Sequence, residues 1–235
     1  LLAALRQAGV DVSQVRVGAR PTGVAFIQVD DAGQNSIVVS PGANAEVSAE
    51  DVAALDLAGA AVVMLQLEVP LDTVLAAARA ARRAGAAALL NVAPAQPLTA
   101  AQLADVTHLL VNEHEAAVLL GSDAGRVTAD PRGAARGLTA LAPVAVVTLG
   151  AAGAAWAARD GGEGRQPAFP VSVVDTTAAG DAFAGALAAR LAAGESELAA
   201  AVRYACAAGS LATAREGAQP SLPTAAEVEA ALAAG

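Results

Sequence analysis

The chain is predicted to be an α/β protein with a mostly parallel central sheet covered by helices on both faces. Three observations predict it. The short apolar runs 61–65, 87–92, 107–111 and 144–149 carry no charged residue, as strands buried on both faces require. Alanine-rich runs of helical length, 71–84, 113–120 and 131–141, alternate with them, which joins successive strands by crossovers. Hydrophobic residues make up 55% of the 235 residues but aromatic ones only 2%, so a large core is built from Ala, Val and Leu.

The elements follow in order. The opening run LLAALRQAG, which starts at Leu1, is helix-like and stops at Gly9. Segments 22–30 and 35–40 alternate apolar and polar around Asp31-Ala-Gly-Gln34, a hairpin pattern. Ser48-Ala-Glu-Asp51 resembles a capping box and starts a short helix. Strand 61–65 leads to helix 71–84, which carries Arg79, Arg82 and Arg83 in its last turns and ends at Gly85. Strand 87–92 precedes a helix over 99–104, and strand 107–111 precedes helix 113–120, ended by Gly121. Helix 131–141 and strand 144–149 come next, then strands 154–158 and 168–174 and helices 180–193, 196–214 and 224–234. The charge-free stretch 137–158 is punctuated by Pro143, Thr148, Gly150 and Gly153, so it is not a membrane span. No long linker, repeat or low-complexity tail interrupts the pattern, which gives one domain over 1–235.

Charge and composition exclude several functions. Net charge is −9 without a basic run, which argues against nucleic acid and anionic membranes as partners. All 14 basic residues are arginine. A P-loop, a pyridoxal Schiff base and a protein-kinase site each need a lysine, so a phosphate site here relies on backbone N–H, arginine or metal. The single cysteine, Cys206, forms no intramolecular disulfide, and no Cys/His cluster has zinc spacing. With no secretory h-region, a reducing cytoplasm is the expected location.

The most informative residues are Asp175-Thr-Thr-Ala-Ala-Gly-Asp181, between a strand-like run and an alanine-rich helix. Small residues there leave backbone N–H groups to converge at a helix N-terminus, an anion site helped by the helix dipole. An acid in the same first turn, Asp181, suits phosphoryl transfer, with the backbone holding phosphate charge and Asp181 taking the proton of an attacking hydroxyl. The plain alternative is a capped helix packed closely on the sheet.

Other candidates also fall just after strands, where open parallel sheets bind ligands. Gln66-Leu67-Glu68 places a carboxylate that either hydrogen-bonds a polyol or solvates a turn. Asn112-Glu113-His114-Glu115 is either a capping box or a set of nucleotide and hydrated-Mg²⁺ contacts. Thr148-Leu149-Gly150-Ala-Ala-Gly153 is either a glycine-rich hairpin or a loop approached by a ligand, and its spacing is not a dinucleotide fingerprint. The 215–221 turn either connects two helices or lends carbonyls to a cation beside Asp175. Cys206 and Trp156 read as core residues.

Taken together, the segments resemble the ribokinase-like family of carbohydrate kinases. The matching runs come in the family's order: Thr22-Gly-Val-Ala25, Gly42-Ala-Asn-Ala45, Leu65-Gln-Leu-Glu68, Asn91-Val-Ala-Pro-Ala95, Asn112-Glu-His-Glu-Ala116, Thr148-Leu-Gly150, 175–183 and Gly217-Ala-Gln-Pro-Ser221. The resemblance implies a three-layer α/β/α domain with a small β lid, near which the 22–40 hairpin lies. It implies ATP-dependent phosphorylation of a sugar's primary hydroxyl, ribose first, with fructose, 2-keto-3-deoxygluconate or a nucleoside as alternatives. By the same resemblance, Asp181 is the catalytic base and also contacts the sugar, and the N–H groups of Ala178, Ala179 and Gly180 form the anion hole. The family usually has Gly at position 178. Asn112, Thr148, Gly150, Gly153, Gly180 and Cys206 would bind the nucleotide, and Glu68 the sugar. Glu115 would order water around Mg²⁺. Asp175, Thr177, Ala212, Arg215, Gly217 and Ser221 would surround an activating K⁺, mostly through backbone oxygens. Members often dimerise through lid strands, so a homodimer is among the expected partners.

Family members begin with strands that carry an Asn-x-Asp sugar clamp and a Gly-Gly-Lys-Gly-x-Asn segment. Neither occurs in this sequence, so the expectation is an N-terminally incomplete domain whose first strands are missing. A catalytically inactive nucleotide-binding fragment or pseudokinase is the alternative from another class.

Overall fold

The computed structural model describes residues 1–29 and 35–234. Its centre is a six-stranded sheet, β3 (Val62–Leu65), β4 (Ala87–Asn91), β5 (His108–Asn112), β6 (Val144–Thr148), β7 (Ala154–Ala158) and β8 (Glu163–Gln166), in that spatial order. β3 to β6 run parallel, and β7 and β8 add an antiparallel edge. Before it stand α1 (Leu2–Gln7), the antiparallel ribbon of β1 (Val24–Val29) and β2 (Asn35–Ser40), and α2 (Ala49–Ala53). The segment 30–34 that joins the expected hairpin, and Asp30 at its end, lie outside the described residues.

The crossovers are α3 (Leu71–Arg83), α4 (Glu113–Leu120), α5 (Ala124–Ala129) and α6 (Pro131–Leu138), and the chain closes with α7 (Ala179–Ala192), α8 (Leu198–Ala212) and α9 (Ala225–Ala234). Successive residues of a strand point to opposite faces, and both faces are apolar here. Leu90, Leu109, Val111, Ala145 and Val147 pack on α3, α4 and α6 through Val74, Ala78, Ala116 and Leu138. Leu89, Leu110, Val146 and Ala154 pack the other way, on Phe183 and Leu187 of α7 and Val202 and Ala205 of α8. The two buried clusters make the expected three-layer α/β/α arrangement, and they explain why the strands carry no charge. α9 is fixed to α8 by Val228 against Ala207 and Ala208. No helix of the described residues is long and apolar enough to cross a membrane.

Two expectations fail locally, and two elements form that the sequence does not predict. The helix expected over 99–104 is a series of turns: Leu103 N–H reaches the Thr99 carbonyl at 3.1 Å and Val106 N–H the Leu103 carbonyl at 3.0 Å, but the ladder goes no further. One turn is too short to repay nucleation, and buried Leu103 and Val106 hold it as it is. The strand expected over 168–174 is an extended segment outside the sheet. Pro170 has no N–H to donate, and the neighbouring donors go to α8 and its end instead: Phe169 N–H to Ser210 Oγ at 3.1 Å and Val174 N–H to the Thr213 carbonyl at 2.7 Å. The true edge strand is β8, Glu-Gly-Arg-Gln, which has little strand character of its own. It pairs because Gly164 stands opposite Trp156, where the indole covers the space a Cβ would need. The short helix α5, with Asp123 as its cap, was also not expected.

Candidate active site

The carboxyl ends of the parallel strands deliver the candidate residues. In the β5–β6 register Asn112 stands beside Thr148, and Thr148 in turn opposes Ala154 across the β6–β7 hairpin. The hairpin turns through a short 3₁₀ segment, Gly150–Ala152, and Gly153. Gly153 has φ 89° and ψ −129°, and Gly150 has φ 52°, so the Thr148–Gly153 loop is a glycine-dependent turn.

The Asp175–Asp181 segment forms the second wall. The N-cap residue of α7 is Ala178, which has φ 60° and ψ 9° and is the one non-glycine residue with positive φ among the described residues. No side chain caps this helix. The N–H groups of Ala178, Gly180 and Asp181 have no partner among the described residues, and that of Ala179 meets the Thr176 carbonyl at 3.3 Å. Such a bare terminus, with its dipole, receives an anion.

Asp175 holds the turn in shape. One carboxylate oxygen accepts the Thr177 N–H at 2.9 Å and the other the Gly217 N–H at 2.9 Å. Its own N–H donates to the Thr213 carbonyl at 3.1 Å. The hydrogen bonds from Thr177, then that from Gly217, hold its pKa below the usual carboxylate value. Asp175 therefore straps the α7 turn to the loop after α8, where Ser221 is fully buried and donates its hydroxyl to the Ala218 carbonyl at 2.8 Å. Arg215 is ion-paired with Glu227 of α9. The carbonyls of Ala212, Arg215 and Gly217 accept no hydrogen bond from the described residues.

Between the two walls lies a cleft of about 540 Å³. It is lined by Thr148, Gly150 and Gly153 of the hairpin loop, by Ala179 and Gly180 at the start of α7, by Phe169 and Val171, and by Cys206, Gly209 and Ser210 of α8. Burial pushes the Cys206 thiol up to about 12, so it stays a neutral, apolar surface. The structure thus brings Thr148, Gly150, Gly153, Ala179, Gly180 and Cys206 together around one cleft.

Other candidates lie outside the cleft. Asp181 is exposed in the first turn of α7 and borders a smaller cleft of about 290 Å³ with Tyr204, Leu222 and Val228. Asn112 and Glu115 bond each other: Glu115 accepts the Asn112 N–H at 2.7 Å and its side-chain amide at 2.9 Å, and Asn112 Oδ1 accepts the Glu115 N–H at 2.8 Å. This is the capping box that the sequence allowed. Burial raises the Glu115 pKa, against the hydrogen bond from Asn112. Glu68 is exposed beyond β3, with its N–H bonded to the Gln66 side chain. No group of three or more His, Cys, Asp or Glu that could hold a metal exists among the described residues. Sequence reasoning missed Phe169, Gly209, Ser210 and Thr213. Ser210 and Gly209, a hydroxyl and a bare Cα within the small-residue stretch 205–210 of α8, were the only local signal.

The family model described as pfkB family carbohydrate kinase matches residues 1–225. The ribokinase of Schizosaccharomyces pombe is 34% identical over 235 residues, covering 97% of this chain and 74% of that protein. The ribokinase of Thermotoga maritima is a solved structure that superposes with a TM-score of 0.82 at 33% identity, over 99% of this chain and 76% of that one. The Arabidopsis thaliana ribokinase complexed with ribose and ATP gives a TM-score of 0.83 at 31% identity, over 95% of this chain and 73% of that one. The chain thus spans about three quarters of the length of these proteins.

Proposed function

The chain belongs to the pfkB family of carbohydrate kinases, and on that premise we propose that it transfers the γ-phosphoryl group of ATP to the primary hydroxyl of D-ribose. The single observation that carries this reading is the uncapped N-terminus of α7, with Asp181 in its first turn and the 540 Å³ cleft opening beside it. The cleft takes the nucleotide, with its base toward Phe169 and Cys206 and its phosphates toward Ala179 and Gly180. The N–H groups of Ala178, Ala179 and Gly180 stabilise charge on the transferred group. Asp181 accepts the proton of the attacking hydroxyl as its oxygen bonds to the γ-phosphorus, and the bond from that phosphorus to the β–γ bridging oxygen breaks to release ADP. Thr148, Gly150 and Gly153 line the nucleotide, and Asn112 stands one strand away. Glu68, at the end of β3, is the sugar contact. The β1–β2 ribbon, which exposes Phe26 and Val38 opposite each other, serves as the lid.

Two ions fit this arrangement. Mg²⁺, which neutralises phosphate charge, would arrive on the triphosphate, since no cluster of protein ligands is preformed among the described residues. Glu115 fits the role of accepting hydrogen bonds from its water shell: each of its oxygens accepts one bond from Asn112 and keeps a lone pair. A monovalent cation, K⁺, would sit beside Asp175, held by the carbonyls of Ala212, Arg215 and Gly217, which accept no hydrogen bond from the described residues, together with Thr177 and Ser221. Its charge would stiffen the α7 turn without touching substrate.

The test is ADP formation by the chain with Mg-ATP and K⁺, with and without ribose. Ribose-dependent turnover is the expected result. ATP bound without turnover on any of a panel of sugars would overturn the catalytic reading in favour of a nucleotide-binding protein.

A further inference from the structure

We infer that Ser210 of α8 reads the base of the phosphoryl donor, donating its hydroxyl proton to a ring nitrogen of the purine. The inference rests on the reading that the 540 Å³ cleft holds the donor nucleotide with its base toward Phe169 and Cys206. Cys206, Gly209, Ser210 and Thr213 all line that cleft. They stand three or four residues apart along α8, so one face of the helix is turned toward it. Ser210 lies on that face one turn from Cys206, and its oxygen accepts the Phe169 N–H at 3.1 Å. Both residues that mark the base end of the cleft are therefore its neighbours.

A serine inside a helix commonly returns its proton to the carbonyl four residues back. Ser210 does not: its hydroxyl is half-buried and donates to no group among the described residues. The other hydroxyls of the lining differ. Thr213 donates to the Ser210 carbonyl at 2.7 Å and Thr148 to the Val111 carbonyl at 3.3 Å. Thr176 also keeps its proton, but it stands three residues before Ala179, at the phosphate end. A hydroxyl has one proton and two acceptor sites. The Phe169 N–H occupies one acceptor site of Ser210 and fixes the oxygen, which leaves the proton for a ligand in the cleft. Adenine presents N1, N3 and N7 as acceptors in the plane of its ring. The backbone N–H groups of Ala168, Val171 and Val173 are also without a partner among the described residues. Any residue but proline would supply those, whereas the Ser210 proton depends on the side chain at this one position.

The test is calorimetric binding of Mg-ATP, and of the three analogues in which N1, N3 or N7 of adenine is replaced by C–H, to the unaltered chain and to Ser210→Ala. Alanine suits a helix interior, so the variant should fold. In the unaltered chain at least one analogue is expected to bind about 3–10-fold more weakly than ATP, the worth of one hydrogen bond. In Ser210→Ala, ATP should weaken by a similar factor and bind no better than that analogue. Equal binding of ATP and all three analogues by the unaltered chain overturns the proposal. So does a Ser210→Ala chain that keeps the full ratio between ATP and the analogue, even if it binds all four more weakly, because the serine then serves only to anchor Phe169. Binding is read without turnover, so the expected pattern in a chain that shows no ribose-dependent turnover refutes the kinase reading and supports this one. Absence of ATP binding by the unaltered chain overturns the proposal together with the assignment of the cleft.

Discussion

Replacing Gly153 by alanine tests the cleft's construction most directly. Gly153 has φ 89° and ψ −129°, a conformation that costs an L-residue about 1–3 kcal/mol. A Cβ there would also lie 2.6 Å from Ala168 N and from the Pro167 carbonyl carbon, and closer still to the Gln166 carbonyl oxygen. All three are backbone atoms, so no side chain can rotate away. Relief requires β8 to part from β7 at the Ala154–Gln166 pair, or the hairpin turn to refold. Overpacking of this kind adds about 1–3 kcal/mol, for a total of about 4 kcal/mol. For a chain of this size, 1 kcal/mol corresponds to about 2–4 °C, so Tm should fall by about 8–16 °C. Gly150→Ala is the control. It shares a positive φ of 52° but has nothing within 4 Å of the added Cβ, so it should lose only about 1–2 kcal/mol, or about 2–8 °C. Thermal unfolding of both variants by circular dichroism, scanned with and without Mg-ATP, is the assay. A Gly153→Ala chain that unfolds no lower than Gly150→Ala would refute the argument that backbone contact with β8, beyond positive φ alone, demands glycine.

Asp181→Asn should keep ATP affinity within a few-fold while kcat falls by about 10²–10⁴, the loss expected of a general base; full kcat would remove Asp181 from the mechanism. Asp175→Ala removes the acceptor of the Thr177 and Gly217 N–H groups, so the α7 turn should loosen, KM for ATP should rise, and any advantage of K⁺ over Na⁺ in the rate should disappear. Equal rates of the unaltered chain in the two salts would count against the cation site. Glu227, bonded by Arg215 and by Thr224, has its pKa lowered from 4.5 to about 2. A carboxylate depressed in the folded state stabilises above its unfolded pKa and loses that contribution as pH falls through the folded value. The Tm difference between the unaltered chain and Glu227→Gln should therefore be constant from pH 7 to about 5 and shrink between about 4.5 and 2. A difference that grows on acidification would reverse the sign.

The sequence by itself determined the layered α/β architecture. Strands buried on both faces must be apolar at every position, and each helix between them must turn one apolar stripe inward, so composition and period carry the fold locally. The uncapped N-terminus of α7 was legible for the same reason: small residues at 178–180 and an acid at 181 are adjacent in the chain. Asn112 and Glu115 show the limit of that local reading. Their spacing allowed both a capping box and nucleotide contacts, and the hydrogen bonds of the structure establish the box without excluding the second role. What only the tertiary structure decided depends on residues far apart in sequence. The apolar run 168–174 looks like a strand, yet Phe169 is bonded to Ser210, 41 residues on, and the segment becomes a cleft wall. Asp175 reaches Gly217 across 42 residues, which no local pattern announces. β8, with two of its four residues charged and one glycine, forms because Trp156 needs a glycine opposite it. In each case a backbone donor or a side-chain surface has several acceptable partners nearby in sequence terms, and packing of the whole chain selects one.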